Sequence, residues 1–252
     1  MADETEANAA VTRDLEPPAR ALAVGAHPDD VEFGCGATLA KWAAAGSEVH
    51  VLVLTDGSKG TWDPKRDPRE LIGVRQREQT DAGAVLGAQR VHLLGLVDGE
   101  LTNGRAEQGT VCAVIRRVQP DVVLGHDPWK RYRLHPDHRA AGDLTISAIV
   151  AARDAHYFPD QGLAPHRPRD LLLFEAEERD HVEVVGNFVD RKIDALLCHR
   201  SQWRSTMQID EDAPDVDRQR EAFRARIRDR AVEAGQLIDA RFGEAFKRIT
   251  SL

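Results

Sequence analysis

From residue 21 to residue 175 the sequence alternates short, β-rich apolar runs with longer runs of helical character, and this restricts the fold more than any other feature. Residues 21–26 read as a strand, 38–45 as a helix ended by Gly46, and 48–55 as a second strand. The pattern continues with a helix over 71–86 closed by Gly87, a strand over 90–94, a helix over 110–118 and a strand over 121–125. A helix over 137–152, a strand over 170–175, a helical run over 189–197 and a mostly helical stretch over 213–247 complete it. Strands separated by helices pair in parallel through right-handed crossovers. The expectation is an α/β fold, a Rossmann-like, mostly parallel sheet flanked by helices, with a helical C-terminal extension. With 252 residues, 42% of them hydrophobic, the chain can bury one substantial core, so 20–252 is read as a single domain. Residues 1–19 are polar, contain Pro17-Pro18 and are read as a disordered N-terminal tail.

Two short blocks share one spelling, His27-Pro28-Asp29-Asp30 and His135-Pro136-Asp137-His138. Proline costs nothing in the first turn of a helix, so each block is expected to open one. Residues three apart on a helical turn share a face, which lets His27 converge with Asp30 and His135 with His138. Imidazole and carboxylate suit zinc, and three protein ligands beside an open position are the arrangement of catalytic zinc. More ligands than that are on offer, and spacing alone leaves open which bind metal and which serve as acid or base. Taken singly, either block could be an ordinary loop whose Asp caps a helix; the two together point to a metal site. Both follow strands and so fall at the carboxyl edge of the sheet, where open α/β sheets bind ligands.

The segment Val24-Gly25-Ala26-His27-Pro28-Asp29-Asp30-Val31-Glu32-Phe33-Gly34, the second block, and Lys192 through His199-Arg200-Ser201-Gln202 resemble the LmbE-like or PIG-L family of zinc-dependent N-acetylglucosaminyl deacetylases. The resemblance covers roughly residues 21–204 in the same order. It implies Zn2+ held by His27, Asp30 and His138, with Fe2+ acceptable to similar ligands. It further implies Asp29 as the general base acting on the zinc-bound water, His135 as the group that stabilises the oxyanion or protonates the amine, and Asp137 as the residue that orients His135. Arg75, supported by Glu78, and Asp98 match substrate-binding positions, against the plainer readings of a surface i,i+3 pair and a turn. Where the mycothiol branch carries a tyrosine two residues before the second block this chain has Arg133, which leaves the adjacent Tyr132 as its substitute. His199 matches a histidine that approaches the site in some relatives, against the alternative of a capping or buried histidine. Val31 before Glu32 follows the bacillithiol-type and chitobiose-type branches rather than the mycothiol type.

The implied function is hydrolysis of an N-acetyl group from an amino sugar or its glycoside, by an enzyme that forms a homo-oligomer, a hexamer or a trimer. An amidase of thiol conjugates would use the same centre. A non-catalytic sugar-binding or metal-binding protein is the reading from another class, and it needs neither Asp29 nor His135. The loop over 56–64 reads either as a mobile lid or as an inert connection. Its counterpart over 126–134, with three cations and two aromatics, reads either as a contact for an anionic or sugar ligand or as a solvated rim.

A net charge of −8 with no basic stripe argues against nucleic acid. No apolar run approaches the ~18 residues of a membrane span, and the acidic start lacks a signal-peptide core, so a cytoplasmic protein without membrane partners is expected. Cys35, Cys112 and Cys198 are widely spaced, which fits reduced thiols. Cys35, between Gly34 and Gly36, reads as close packing of a helix onto a strand rather than as a ligand.

Overall fold

The structure is a computed structural model, and it describes residues 10–252. In chain order the elements begin β1 (Thr12–Arg13), β2 (Arg20–Gly25), α1 (Asp30–Ala44), β3 (Glu48–Thr55), α2 (Pro68–Leu86), β4 (Arg90–Leu96), α3 (Arg105–Val118) and β5 (Val122–His126). They continue with α4 (Pro136–Ala152), β6 (Asp170–Phe174), β7 (His181–Val184), α5 (Phe188–Leu197), α6 (Val216–Gln236) and β8 (Gly243–Thr250).

The side-chain alternation of β2 decides the layers. Leu22 and Val24 face one way, Ala21 and Ala23 the other, and all four are fully buried, so the strand needs cover on both sides. The neighbouring strands repeat this. Leu52, Leu54, Val123, Leu171 and Leu173 join the first face, packed against α3 and α4; Val51, Val53, Leu124, Leu172 and Phe174 join the second, packed against α1, α2 and α5. The sheet runs β1-β7-β8-β6-β5-β2-β3-β4. β2 pairs in parallel with β3 and β5, β4 with β3, and β6 with β5, as the strand–helix alternation requires. The ends of β2, β3, β4, β5 and β6 therefore meet at one edge.

α1 is longer than the helix read over 38–45, since it starts at Asp30, and it is kinked at Cys35 (φ −149°, ψ 18°). The sequence pattern shows only the half after the kink. That half has its own cap: the N–H groups of Ala37 and Thr38 donate to the Glu244 carboxylate at 3.2 and 2.7 Å. Lys192 Nζ neutralises this carboxylate at 2.6 Å and also donates to Phe33 O, a carbonyl next to the kink, at 2.8 Å. Gly34 lets the kinked helix approach the sheet, because a Cβ there would lie 2.5 Å from the Phe174 ring. The packing expected at Gly34-Cys35-Gly36 is present.

Two expectations need correction. The helix read over 213–247 ends at Gln236, and the chain returns to the sheet as β8, antiparallel to both β6 and β7. Charged residues in β8 hide its alternation beside the arginine-rich helix before it, and β7 is too short to register by pattern. Of the tail expected over 1–19, residues 1–9 lie outside the described residues. The rest is held: Thr12–Arg13 pair with β7, and Leu15 N donates to Glu183 Oε1 at 2.7 Å. Among the described residues no helix is long and apolar enough to cross a membrane, and all three cysteines are free thiols.

Gly142 of α4 sits where a Cβ would come 2.6 Å from the backbone O of His126, the last residue of β5. Gly142→Ala is expected to cost about 1–3 kcal/mol by overpacking, read as a lower denaturant midpoint. An unchanged midpoint would mean that α4 can withdraw from β5.

Candidate metal centre

The chain turns sharply on leaving β2. Asp30 folds back so that its Oδ2 accepts from the His27 N–H at 2.7 Å, and Asp29, the residue just before it, takes a left-handed backbone (φ 101°). Asp is among the few non-glycine residues that tolerate this region. The second block starts α4, with His135 at the N-cap position and Pro136 in the first turn, as the spelling requires.

These two turns bring the imidazoles onto one carboxylate. Asp30 Oδ2 lies 3.3 Å from His27 Nδ1, and Asp30 Oδ1 lies 3.2 Å from His138 Nε2. His27 and His138 rings stand 5.2 Å apart, so the three expected ligands converge pairwise. The far side of His27 is held too: its Nε2 is 3.1 Å from Asp137 Oδ2 and 3.2 Å from Asp98 Oδ1. A carboxylate behind an imidazole is the arrangement that fixes a metal-binding histidine's tautomer and orientation.

Electrostatics follow from this crowding. Burial works against a charge on His27, but hydrogen bonds that its ring donates to Asp137, Asp30 and Asp98 outweigh it and push its pKa up to about 12. Burial likewise opposes charge on Asp30, yet His126, His138 and His27 hold its carboxyl well below the usual range. A cluster that drives a buried imidazole to keep a proton is one that attracts positive charge, and its N and O donors suit a divalent transition metal. The residues present fit such an ion.

His126 belongs to the same cluster, and sequence reading missed it. Its Nε2 is 3.2 Å from Asp30 Oδ2 and its ring stacks on His138 with centroids 4.4 Å apart. Asp30, His126 and His138 present donor atoms within 4.8 Å of one another, as do His27, His135 and His138. The available signal was positional, since His126 ends β5 at the edge the two blocks share. Arg133 Nη1 lies 3.2 and 3.3 Å from the Nδ1 atoms of His126 and His138 and donates to Glu175 Oε2 at 3.0 Å. The loop after β5 is tied to the centre through this guanidinium.

Other expected residues fall in different places. His135 is exposed on the wall of a cavity of about 650 Å³ above the cluster, its ring stacked on His138 at 4.7 Å. Asp137 contacts His27 rather than His135 and accepts the N–H groups of Gly99 and Leu101 at 2.6 and 3.3 Å. Residues two apart at a helix start point in different directions, which is why Asp137 turns from His135. Asp98 is committed to His27 and to the Lys59 N–H at 2.9 Å. Arg75 lines the cavity but donates to the carbonyls of Pro28 and Gly57, with Asp29 Oδ2 at 3.6 Å. Glu78 turns to Ser201, accepting from its N–H and hydroxyl, and lines a neighbouring cavity. Tyr132 is 86% exposed and outside the cavity lining; His199 is wholly buried behind it. The loop over 56–64 does border the cavity through Lys59, Gly60, Thr61 and Trp62, and Gln202 Nε2 donates to Gly60 O at 2.9 Å.

Several known proteins are similar to this chain. The PIG-L family profile, described as GlcNAc-PI de-N-acetylase, matches residues 22–149. Diacetylchitobiose deacetylase of Thermococcus kodakarensis is 33% identical over 187 residues, 73% of this chain and 70% of that enzyme. The 1D-myo-inositol 2-acetamido-2-deoxy-alpha-D-glucopyranoside deacetylase of Mycolicibacterium vanbaalenii is 35% identical over 161 residues, which is 53% of this chain and 55% of that enzyme. Among solved structures, N,N'-diacetylchitobiose deacetylase from Pyrococcus horikoshii superposes with a TM-score of 0.81 at 28% identity, covering 92% of this chain and 84% of that one.

Removing Asp137 leaves Asp98 alone behind His27 Nε2. Asp137→Asn is expected to weaken zinc binding about 10–100-fold in a chelator competition, and His138→Ala to lose stoichiometric metal altogether. Undiminished affinity in Asp137→Asn would show that Asp98 alone orients His27.

Proposed function

The chain belongs to the PIG-L family, and from that premise we propose that it is a metal-dependent hydrolase removing the N-acetyl group of an amino sugar or its glycoside. The observation that carries this reading is Asp29, a carboxylate that lines the cavity and takes no part in the Asp30–imidazole cluster. Burial raises its pKa against the opposing pull of Arg75 and His199. A carboxylate with a raised pKa is a better proton acceptor near neutrality than an ordinary one.

A divalent ion at His27, Asp30 and His138, which we assign as zinc with iron(II) acceptable to the same donors, would supply Lewis-acid polarisation of the acetyl carbonyl. The rest is protein chemistry. Asp29 accepts a proton from the attacking water as its oxygen bonds to the carbonyl carbon. His135, whose pKa is lowered by partial desolvation at the cavity wall and by its neighbours His27 and His138, offers an N–H to the carbonyl oxygen as that atom gains charge. The C–N bond then breaks, Asp29 returns the proton to the departing nitrogen, and acetate and a free amine result.

Trp62, 77% exposed on the cavity rim, presents a flat face for the apolar side of a sugar ring. Association of copies remains part of the reading, supported by the free edge β4, where Leu93 is exposed along with Val97 just beyond the strand. A cytoplasmic setting is supported by the three free thiols.

The test is amine release from zinc-loaded protein given N-acetylglucosamine, diacetylchitobiose and N-acetylglucosaminyl glycosides of inositol and malate. Turnover of at least one is expected, and Asp29→Asn should lower kcat by about 100-fold or more with zinc content unchanged. Full activity in that variant would remove Asp29 from the base role, and no release from any substrate by the zinc-bound wild type would count against the deacetylase.

A further inference from the structure

Behind Asp29, in its left-handed conformation, stand Gln79 and Glu32, which no part of the mechanism above uses. With φ 101° and ψ −24° it precedes the first residue of α1, and its N–H points away from the helix. That N–H donates to Gln79 Oε1 at 3.0 Å. Gln79 is wholly buried on α2, and its Nε2 donates to Glu32 Oε1 at 2.7 Å. Glu32, on α1, is itself fully buried. Its second oxygen has no hydrogen-bond partner, and the nearest positive-capable group is His199 Nε2 at 3.6 Å. His199 is fully buried as well, and neither ring nitrogen is hydrogen-bonded.

The direction of this chain is fixed by chemistry. A carboxylate accepts only, so Glu32 obliges the Gln79 amide to present its NH2 there and its carbonyl oxygen to Asp29. One turn earlier on the same helix, Arg75 holds the preceding carbonyl, that of Pro28. The two side chains thus grip the same elbow from α2, one by its C=O and one by its N–H.

We propose that Gln79, oriented by Glu32 with His199 behind it, is a positioning residue that keeps Asp29 in the conformation directing its carboxylate at the cavity. The catalytic consequence rests on the deacetylase reading; the conformational consequence does not. A base displaced by about 1 Å loses on the order of 100-fold in rate, while the Asp30 cluster, which Gln79 does not touch, keeps its metal.

The experiment uses the full-length, zinc-loaded protein and three variants: Gln79→Met, Glu32→Gln, and the exchange Glu32→Gln with Gln79→Glu. In the exchange the new carboxylate at 79 still accepts from the Asp29 N–H and from an amide at 32. The first readout is hydrogen exchange of the Asp29 amide with its backbone φ from NMR couplings, which needs no substrate. Exchange is expected to accelerate at least 10-fold in Gln79→Met and to return toward wild type in the exchange variant. The second is kcat, expected to fall about 100-fold in Gln79→Met with KM and zinc content within two-fold, and to recover in the exchange variant. Unaltered Asp29 protection and φ in Gln79→Met overturns the proposal. So does a loss of activity that tracks zinc content or folded fraction. An inactive wild type whose Asp29 amide still responds to Gln79 would overturn the deacetylase reading and leave this one standing.

Discussion

One buried carboxylate organises the carboxyl edge of the sheet. Asp30 answers the His27 N–H of its own turn and faces imidazoles from the exit of β2, the end of β5 and the start of α4. An isolated carboxylate could not be buried there, and histidines packed within 4.4–5.2 Å of one another would repel once protonated. Each is acceptable only because the other is present. The two blocks are far apart in sequence, and this mutual requirement is what brings α1 and α4 to one point.

Around that point the carboxylates divide their tasks by direction. Asp30 faces the imidazoles from below, Asp137 and Asp98 brace His27 from behind, and Asp29, outside these contacts, lines the cavity. Asp137 also accepts two backbone N–H groups of the segment after β4, so the same residue that braces His27 anchors the loop beside it. Arg75 has a similar double use, gripping the Pro28 carbonyl and the Gly57 carbonyl while standing next to Asp29. Much of what surrounds the reaction cavity is therefore structural and chemical at once.

The parallel core was legible because strong β-rich runs and helical runs alternate without interruption, and the convergence of the two His-Pro-Asp blocks was legible because each carries its own turn and helix start. What escaped has definite physical causes. β8 carries lysine, arginine and glutamate on a strand covered only in part, so hydrophobic period gave no sign of it. The kink in α1 is invisible locally, since its compensating cap comes from β8. Asp137 was expected at His135 because of proximity in sequence, whereas helix geometry sends it to His27. His126 looked like a loop residue until its strand was seen to end at the shared edge. Gln79 carries no motif, and only the packing of α2 against the elbow after β2 reveals its place.

The cap on the second half of α1 also sets an order of events. Glu244 reaches back across 207 positions to the Ala37 N–H, and its charge is matched by Lys192. A ribosome delivers the His27–Asp30 block well before this cap. Until β8 docks, the helix that carries Asp30 is unfinished just past its kink, and long-range closures of this kind are slow. Assembly of the Asp30–imidazole cluster is thereby tied to docking of β8, so that an emerging chain presents scattered histidines and carboxylates rather than an assembled cluster.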